Sequence, residues 1–186
     1  MTLRALRALA PTCVASALLA ACATPPAAPT HAGELTAVGR VAIRLPSDNQ
    51  LANFTWRDDG EQAQLALNSP LGNTVAELTF NADGARLRDQ NGKVTQSATP
   101  DSLLKTRTGW DLPVSGLRYW IQAKADPSSE ALVRDTPEGR HIDQAGWSID
   151  ATDMVAAGER GKLPKRVKAA REGVGVSIVI SDWQWQ

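Results

Sequence analysis

The sequence predicts a mainly β protein: one long, curved antiparallel sheet of ten or eleven short strands, interrupted by a two-helix insertion. Three observations predict it. Apolar and polar residues alternate through most of residues 34–184, which is the period of strands that bury one face. The alternating runs are short and are separated by turns rich in Gly, Asn, Asp and Pro, as in hairpin-linked antiparallel strands. The alternation fails over residues 99–123, where helix start and stop signals replace it. A sheet with this many strands accumulates twist and has to curl around something apolar. A barrel closed on itself is the nearest competing architecture.

The first run, 34–45, places Leu35, Ala37, Gly39, Val41, Ile43 and Leu45 on one face. A Pro46-Ser-Asp-Asn turn follows. Residues 51–57 then set Ala52, Phe54 and Trp56 on one side, and 62–69 do the same with Ala63, Leu65 and Leu67. Runs at 75–80, 85–88 and 93–97 continue the meander, with Asn81-Ala-Asp-Gly and Gln90-Asn-Gly as turns. At Thr99 the pattern becomes a helix start: Thr99 is the N-cap, Pro100 takes the first helical position and Asp101 complements the dipole. That helix should stop at Gly109. A second runs over about 114–123, between Pro113 and Asp126-Pro127. Strands return at 132–136, 140–145, 147–152, 167–171 and 174–184.

Upstream of this domain the chain reads as processing signal and tether. Arg4 and Arg7 precede an apolar run at 14–21, the layout of a secretory signal peptide, and the run is too short for a good membrane span. Leu19-Ala20-Ala21-Cys22 has the form of a bacterial lipobox, so Cys22 is expected to carry diacylglyceryl and become the new N-terminus. The expected organisation is a signal peptide at 1–21, a lipidated N-terminus and tether at 22–33, and one domain at 34–186. The tether ATPPAAPTHAG has no apolar period. At about 3.1 Å per residue it can hold the domain up to roughly 30 Å from a membrane. Ala23 after the cysteine, by general resemblance to bacterial lipoproteins, implies sorting to the outer membrane, facing the periplasm.

Removal of Arg4 and Arg7 from the 20 basic side chains leaves 18 against 20 acidic ones. A balance of −2 offers no basic footprint for nucleic acid. The two cysteines, Cys13 and Cys22, fall in the signal and at the lipid site, so the domain has no pair for a disulfide and depends on its core. Catalysis is opposed by inventory. His141 is the one histidine in the folded region, His31 being in the tether. There is no second histidine or free thiol for a metal site or Cys-His pair, and no Gly-x-Ser-x-Gly elbow. Asp58 and Asp59 sit in a turn and read as solvated. The basic run Lys162, Lys165, Arg166, Lys168 and Arg171 reads as a solvated edge, or as a face toward anionic lipid or an acidic protein surface.

Several segments carry a family resemblance: Asn68-Ser-Pro-Leu-Gly, then 109–121 (GWDLPVSGLRYWI), and Gly146-Trp147 before a strand, with Gly39-Arg40 and Phe54-Thr-Trp56 in the right order. From about residue 34 onward the chain resembles the LolB family of outer-membrane lipoprotein receptors. The resemblance implies an incomplete, half-open antiparallel β-barrel covered by helices and enclosing an apolar cavity for acyl chains. It implies a monomer that takes outer-membrane lipoproteins from a LolA-like periplasmic carrier and delivers them to membrane lipid, with no enzyme activity, cofactor or metal. Two departures stand out. The segment before Gly39 is short where the family usually has a helix, and Gln122-Ala123 stands where a Gly is common.

The residue chemistry agrees with such a role. An acyl chain of about sixteen carbons costs on the order of 12 kcal/mol to expose to water, at about 0.8 kcal/mol per CH₂, so a receptor needs an apolar cavity. Candidate walls are Trp56, Leu65, Leu67 and Leu78 on strands, with Leu103, Leu104, Trp110, Leu117, Trp120 and Ile121 on the covering helices. Each is equally readable as core, Trp56 and Trp147 especially. Leu71 sits in a Ser69-Pro-Leu-Gly72 turn where the chain should face solvent, and isolated exposed leucines are common. The resemblance implies that this Leu probes the membrane during lipoprotein insertion. The alternative function is a structural or assembly lipoprotein with a filled interior, and a cavity separates the two.

Overall fold

The computed structural model describes residues 33–109 and 111–185. Eleven strands form one antiparallel sheet: β1 (Leu35–Arg44), β2 (Asn49–Asp58), β3 (Ala63–Asn68), β4 (Thr74–Asn81), β5 (Gly84–Asp89), β6 (Val94–Ser97), β7 (Ala131–Thr136), β8 (Gly139–Gln144), β9 (Trp147–Ala156), β10 (Lys162–Arg171) and β11 (Val174–Trp185). Their spatial order is β6-β5-β4-β3-β2-β1-β11-β10-β9-β8-β7. Two meanders therefore meet where β1 pairs with β11, and the free edges are β6 and β7. The chain crosses from one edge to the other through α1 (Pro100–Thr108) and α2 (Val114–Trp120). The sheet stays open, with helices in the gap, and the closed barrel is excluded.

The helix signals act as the sequence predicts. The Thr99 hydroxyl accepts from the Ser102 backbone N–H at 3.1 Å, and Gly109 closes α1 in the left-handed region at φ 76°. The second helix ends earlier than its expected limit. Ile121 caps it, and the chain turns through Ala123 at φ 58°. A left-handed alanine costs about 1–2 kcal/mol, which gives the departure from glycine here a structural cost.

Strands β9 and β10 run beyond 147–152 and 167–171. Asp153 at φ 56° and Pro164 broke the expected alternation, yet both lie inside the β9–β10 ladder, where Pro164 pairs with Met154. The proline is tolerated because β10 pairs with β11 only from Arg166 onward. Its missing N–H has no ladder partner on that side. A short 3₁₀ turn, Gly158–Arg160, connects the two strands.

Gly39 explains one of the motifs. It stands at a bulge in the β1–β11 pairing. A Cβ there would collide with the Val179 carbonyl oxygen and lie 3.0 Å from the Phe54 ring. Only glycine permits this approach of the two meanders.

Candidate functional site

An apolar cavity of about 330 Å³ lies between the sheet and the helices, at the small end of the roughly 300–1,000 Å³ typical of ligand pockets. Its wall is one side of the sheet. Val176 and Ile178 come from β11, Val41 and Ile43 from β1, Ala52, Phe54 and Trp56 from β2, Leu65 and Leu67 from β3, Ala76 and Leu78 from β4, and Leu87 from β5. These residues are cross-strand neighbours by register: Val41 opposes Ala52, Trp56 opposes Leu65, Leu65 opposes Leu78 and Leu78 opposes Leu87. Period two therefore puts them all on the concave face. Among the described residues, β7 to β10 contribute nothing to the wall.

The roof is built from both helices. Leu104 and Thr108, one turn apart on α1, face the cavity, as do Val114, Leu117 and Ile121 at three- and four-residue spacing from α2 onward. The flank of α2 beside this face carries Gly116 and Trp120, both buried away from the cavity. A Cβ on Gly116 would come within 2.9 Å of the Trp120 ring, so the glycine in this motif makes room for the tryptophan.

Seven of the predicted wall residues thus come together: Trp56, Leu65, Leu67, Leu78, Leu104, Leu117 and Ile121. Leu103 and Trp120 do not line the cavity and are instead core residues, each 1 % exposed. Successive helical positions differ by about 100°, so Leu103 turns away where Leu104 faces in, and Trp120, about 60° round its helix from Leu117, falls past the edge of the cavity and into the core. Trp110 and Cys22, with the tether and any N-terminal helix, lie outside the described residues. Val41, Ile43, Phe54, Leu87, Leu112, Val176 and Ile178 are wall residues that sequence reasoning did not single out. The alternation placed several of them on the right face, but not over the cavity.

Two polar clamps hold the roof. Asp58, expected to be solvated, is buried, and the Arg118 guanidinium donates to both its oxygens at 2.8 and 2.7 Å. That hydrogen bonding, chiefly, raises the Arg118 pKa above its ordinary value. Asp59 behaves as expected and is exposed in the turn, accepting from the Glu61 and Gln62 backbone N–H groups. On the other side, the buried Gln144 of β8 accepts from Trp120 Nε1 at 2.8 Å and from the Asp126 backbone N–H at 2.9 Å. It donates to the Asp126 and Ser129 carbonyls at 2.7 and 2.8 Å. Every hydrogen-bonding position of this amide is thereby used. The indole N–H of Trp56 is the contrast: it is buried, at the cavity wall, with no hydrogen-bond partner among the described residues.

At the mouth, Ser69 and Pro70 are wall residues, and the turn that holds them is closed by the Ser69 N–H to the Asn73 carbonyl at 2.8 Å. Leu71 projects from it, 90 % exposed. Leu51 and Val75 also line the cavity and are exposed, so the lip is apolar beyond Leu71.

Other features lie elsewhere. The His141 ring nitrogens are hydrogen-bonded to the carboxylates of Asp150 at 2.7 Å and Asp143 at 3.1 Å, which accept from the protonated ring and so raise its pKa. Of the basic run, Lys162, Lys165, Arg166 and Lys168 are exposed on β10, where Arg166 pairs with Asp153 at 2.6 Å. Arg171 pairs with Asp111 at 2.9 Å and lies over the Trp147 ring. It lines an open depression of mixed polar and apolar lining at the β8–β9 turn.

Comparison with known proteins bears on all of this. The sequence model of the family described as "Outer membrane lipoprotein LolB" matches residues 34–183. Proteins named outer-membrane lipoprotein LolB are 36 % identical over 146 residues in Chromobacterium violaceum, covering 78 % of each chain. In Bordetella petrii the figure is 40 % over 141 residues, covering 70 % of this chain and 71 % of that one. Among solved structures, a domain described as an outer membrane lipoprotein-sorting protein from Vibrio parahaemolyticus aligns with TM-score 0.57 at 9 % identity, over 83 % of this chain and 86 % of that one. A DUF1329 family protein from Desulfovibrio piger aligns with TM-score 0.56 at 7 % identity over the same shares. These structural likenesses speak to the fold. With the matched region spanning both helices and all eleven strands but for the last two residues of β11, the chain belongs to the LolB family of outer-membrane lipoproteins.

Proposed function

We propose that the protein is a lipid-anchored receptor that accepts lipoproteins from a soluble periplasmic carrier and passes them to the inner leaflet of the outer membrane. The observation that carries the proposal is the apolar cavity roofed by clamped helices, in a member of this family. It also favours a receptor over an assembly lipoprotein with a filled interior. The cavity holds acyl chains by removing their CH₂ groups from water. No proton-transfer or nucleophilic step is assigned to its almost wholly apolar walls. Transfer runs down an affinity gradient: the carrier holds acyl chains more weakly than this cavity, and the bilayer shields them best.

In this scheme Cys22 is the anchor, which the mass of the mature N-terminus tests directly, and Leu71 acts after acceptance. One leucine entering the interface gains only about 1.5–3 kcal/mol, too little to anchor the protein but enough to turn the mouth toward the bilayer. Leu71→Glu is expected to leave melting temperature and acceptance from the carrier near wild type while insertion into liposomes falls sharply. Leu71→Phe or Ile should retain most activity. Undiminished insertion by the glutamate variant would return Leu71 to the status of a turn residue.

A further inference from the structure

The two free edges of the sheet are finished differently. Edge strand β6 has α1 packed against it, whereas among the described elements β7 packs closely on β8 alone. All six residues of β7 are exposed, including Leu132 at 56 % and Val133 at 44 %. An uncovered edge presents unpaired N–H and C=O groups to any extended chain. The β7–β8 hairpin closes through Pro137-Glu138, with Thr136 opposite Gly139. By the alternation of antiparallel pairing across a two-residue turn, Val133 and Asp135 then direct their backbone groups outward.

We infer that β7 receives, as a twelfth strand, the extended polypeptide that follows the acylated cysteine of a bound lipoprotein. This rests on the reading of the cavity as an acyl site. Register supports the placement: Val133 stands in one cross-sheet row with Ile142, Ile149, Ala169, Val176 and Ile43, and the last two are cavity walls. The edge is therefore level with the cavity. The charges on β7 are committed within its own hairpin, Arg134 to Asp143 at 2.6 Å and Asp135 to Arg140 at 2.8 Å. Recognition is left to main-chain hydrogen bonds, which suit cargo of varied sequence.

Other occupants fit less well. The protein's own tether has Pro25, Pro26 and Pro29, which lack the N–H a ladder needs. A second copy paired here would touch along one six-residue strand, a contact about 20 Å long and one strand wide, which is narrower than the broad packed surface of roughly 1,000 Å² or more that a stable dimer interface buries.

The test uses the mature protein and three probes: palmitate, a triacylated cysteine with no peptide, and the same lipid carrying eight uncharged residues. The long lipopeptide should bind about tenfold more tightly than the peptide-free lipid, and it alone should slow amide exchange at Val133 and Asp135. Val133→Pro should remove that advantage while palmitate binding stays unchanged. Equal affinity of the two lipids for wild type, or unaltered exchange at Val133 and Asp135, overturns the strand addition even if the proline variant misfolds. Failure of wild type to bind palmitate overturns the cavity reading, and this inference with it.

Discussion

The sheet on either side of the β1–β11 seam follows the same alternation, yet only one side leaves space under its roof. In β8, β9 and β10 the inward residues Ile142, Ile149, Ala151, Leu163, Val167 and Ala169 are fully covered. In β2 to β5 several of the equivalent residues, Leu65, Leu67 and Leu87 among them, remain partly exposed to the cavity. The difference lies in what α2 sends to each side. Toward β8 and β9 it sends Trp120, whose ring lies 6.1 Å from that of Trp147 and whose N–H is bound by Gln144. Toward β2 and β3 it sends Val114, Leu117 and Ile121, which cover without filling. One short helix thus plugs half the sheet and roofs the other half. A cavity here needs no special strand chemistry, only an uneven distribution of volume above an even sheet.

That comparison predicts, first, unequal costs for equal truncations. Ile149→Ala, in the filled half, should destabilise by about 2–5 kcal/mol. Leu67→Ala, which enlarges a space that already exists, should cost only about 1–2 kcal/mol. Urea unfolding of both variants checks this, and equal losses would mean that the two halves are packed alike.

Breaking the clamp that ties the roof to the cavity half comes next. Arg118→Met strands a buried carboxylate on Asp58, and such breaks cost about 3 kcal/mol or more when both partners are fully buried. With Arg118 partly exposed, about 2 kcal/mol is expected. The double variant with Asp58→Asn should recover part of it in a denaturation cycle.

Glutamate scanning across α2 should then separate its two faces. Leu117→Glu places a carboxylate at the cavity wall and should abolish binding of a fluorescent fatty acid with modest loss of stability. Trp120→Glu places it in the core and should unfold the domain outright. A folded, fatty-acid-binding Leu117→Glu protein would mean that acyl chains lie elsewhere.

The smallest effect concerns His141 on the outer face of the filled half. Its folded-state pKa is raised above 6.5 by Asp150 and Asp143. Its contribution is therefore present in full below the unfolded-state value and disappears as pH rises through the folded one. His141→Gln should be less stable than wild type at acid pH, and the difference should vanish at alkaline pH. His141 is partly buried but its partners Asp143 and Asp150 are exposed, so salt should shrink the effect.

Much of this was legible in the chain because it is local. Period two marked every strand, and Thr99, Pro100 and Gly109 set the bounds of α1. The limits of β9 and β10 were missed because Asp153 and Pro164 carry locally unfavourable signals that the ladder overrides. Asp58 was misread for a related reason: it belongs to a turn sequence, but its partner Arg118 is sixty positions away, and no local pattern announces such a pair. Leu103 and Trp120 were assigned to the cavity because apolarity alone does not say which side of a helix faces a void.

The sequence by itself determined the alternation, the turns and the helix ends, because each depends on residues within a few positions of one another. It also carried the motifs that identify the family. Tertiary structure decided the rest. The sheet stays open because β1 pairs with β11 and leaves β6 and β7 as edges, and α2 is locked by partners on both meanders. The cavity lies over β1 to β5 and β11 because Trp120 occupies the other side. These outcomes depend on contacts between distant residues and on the volume they leave unfilled, which no single stretch of sequence contains.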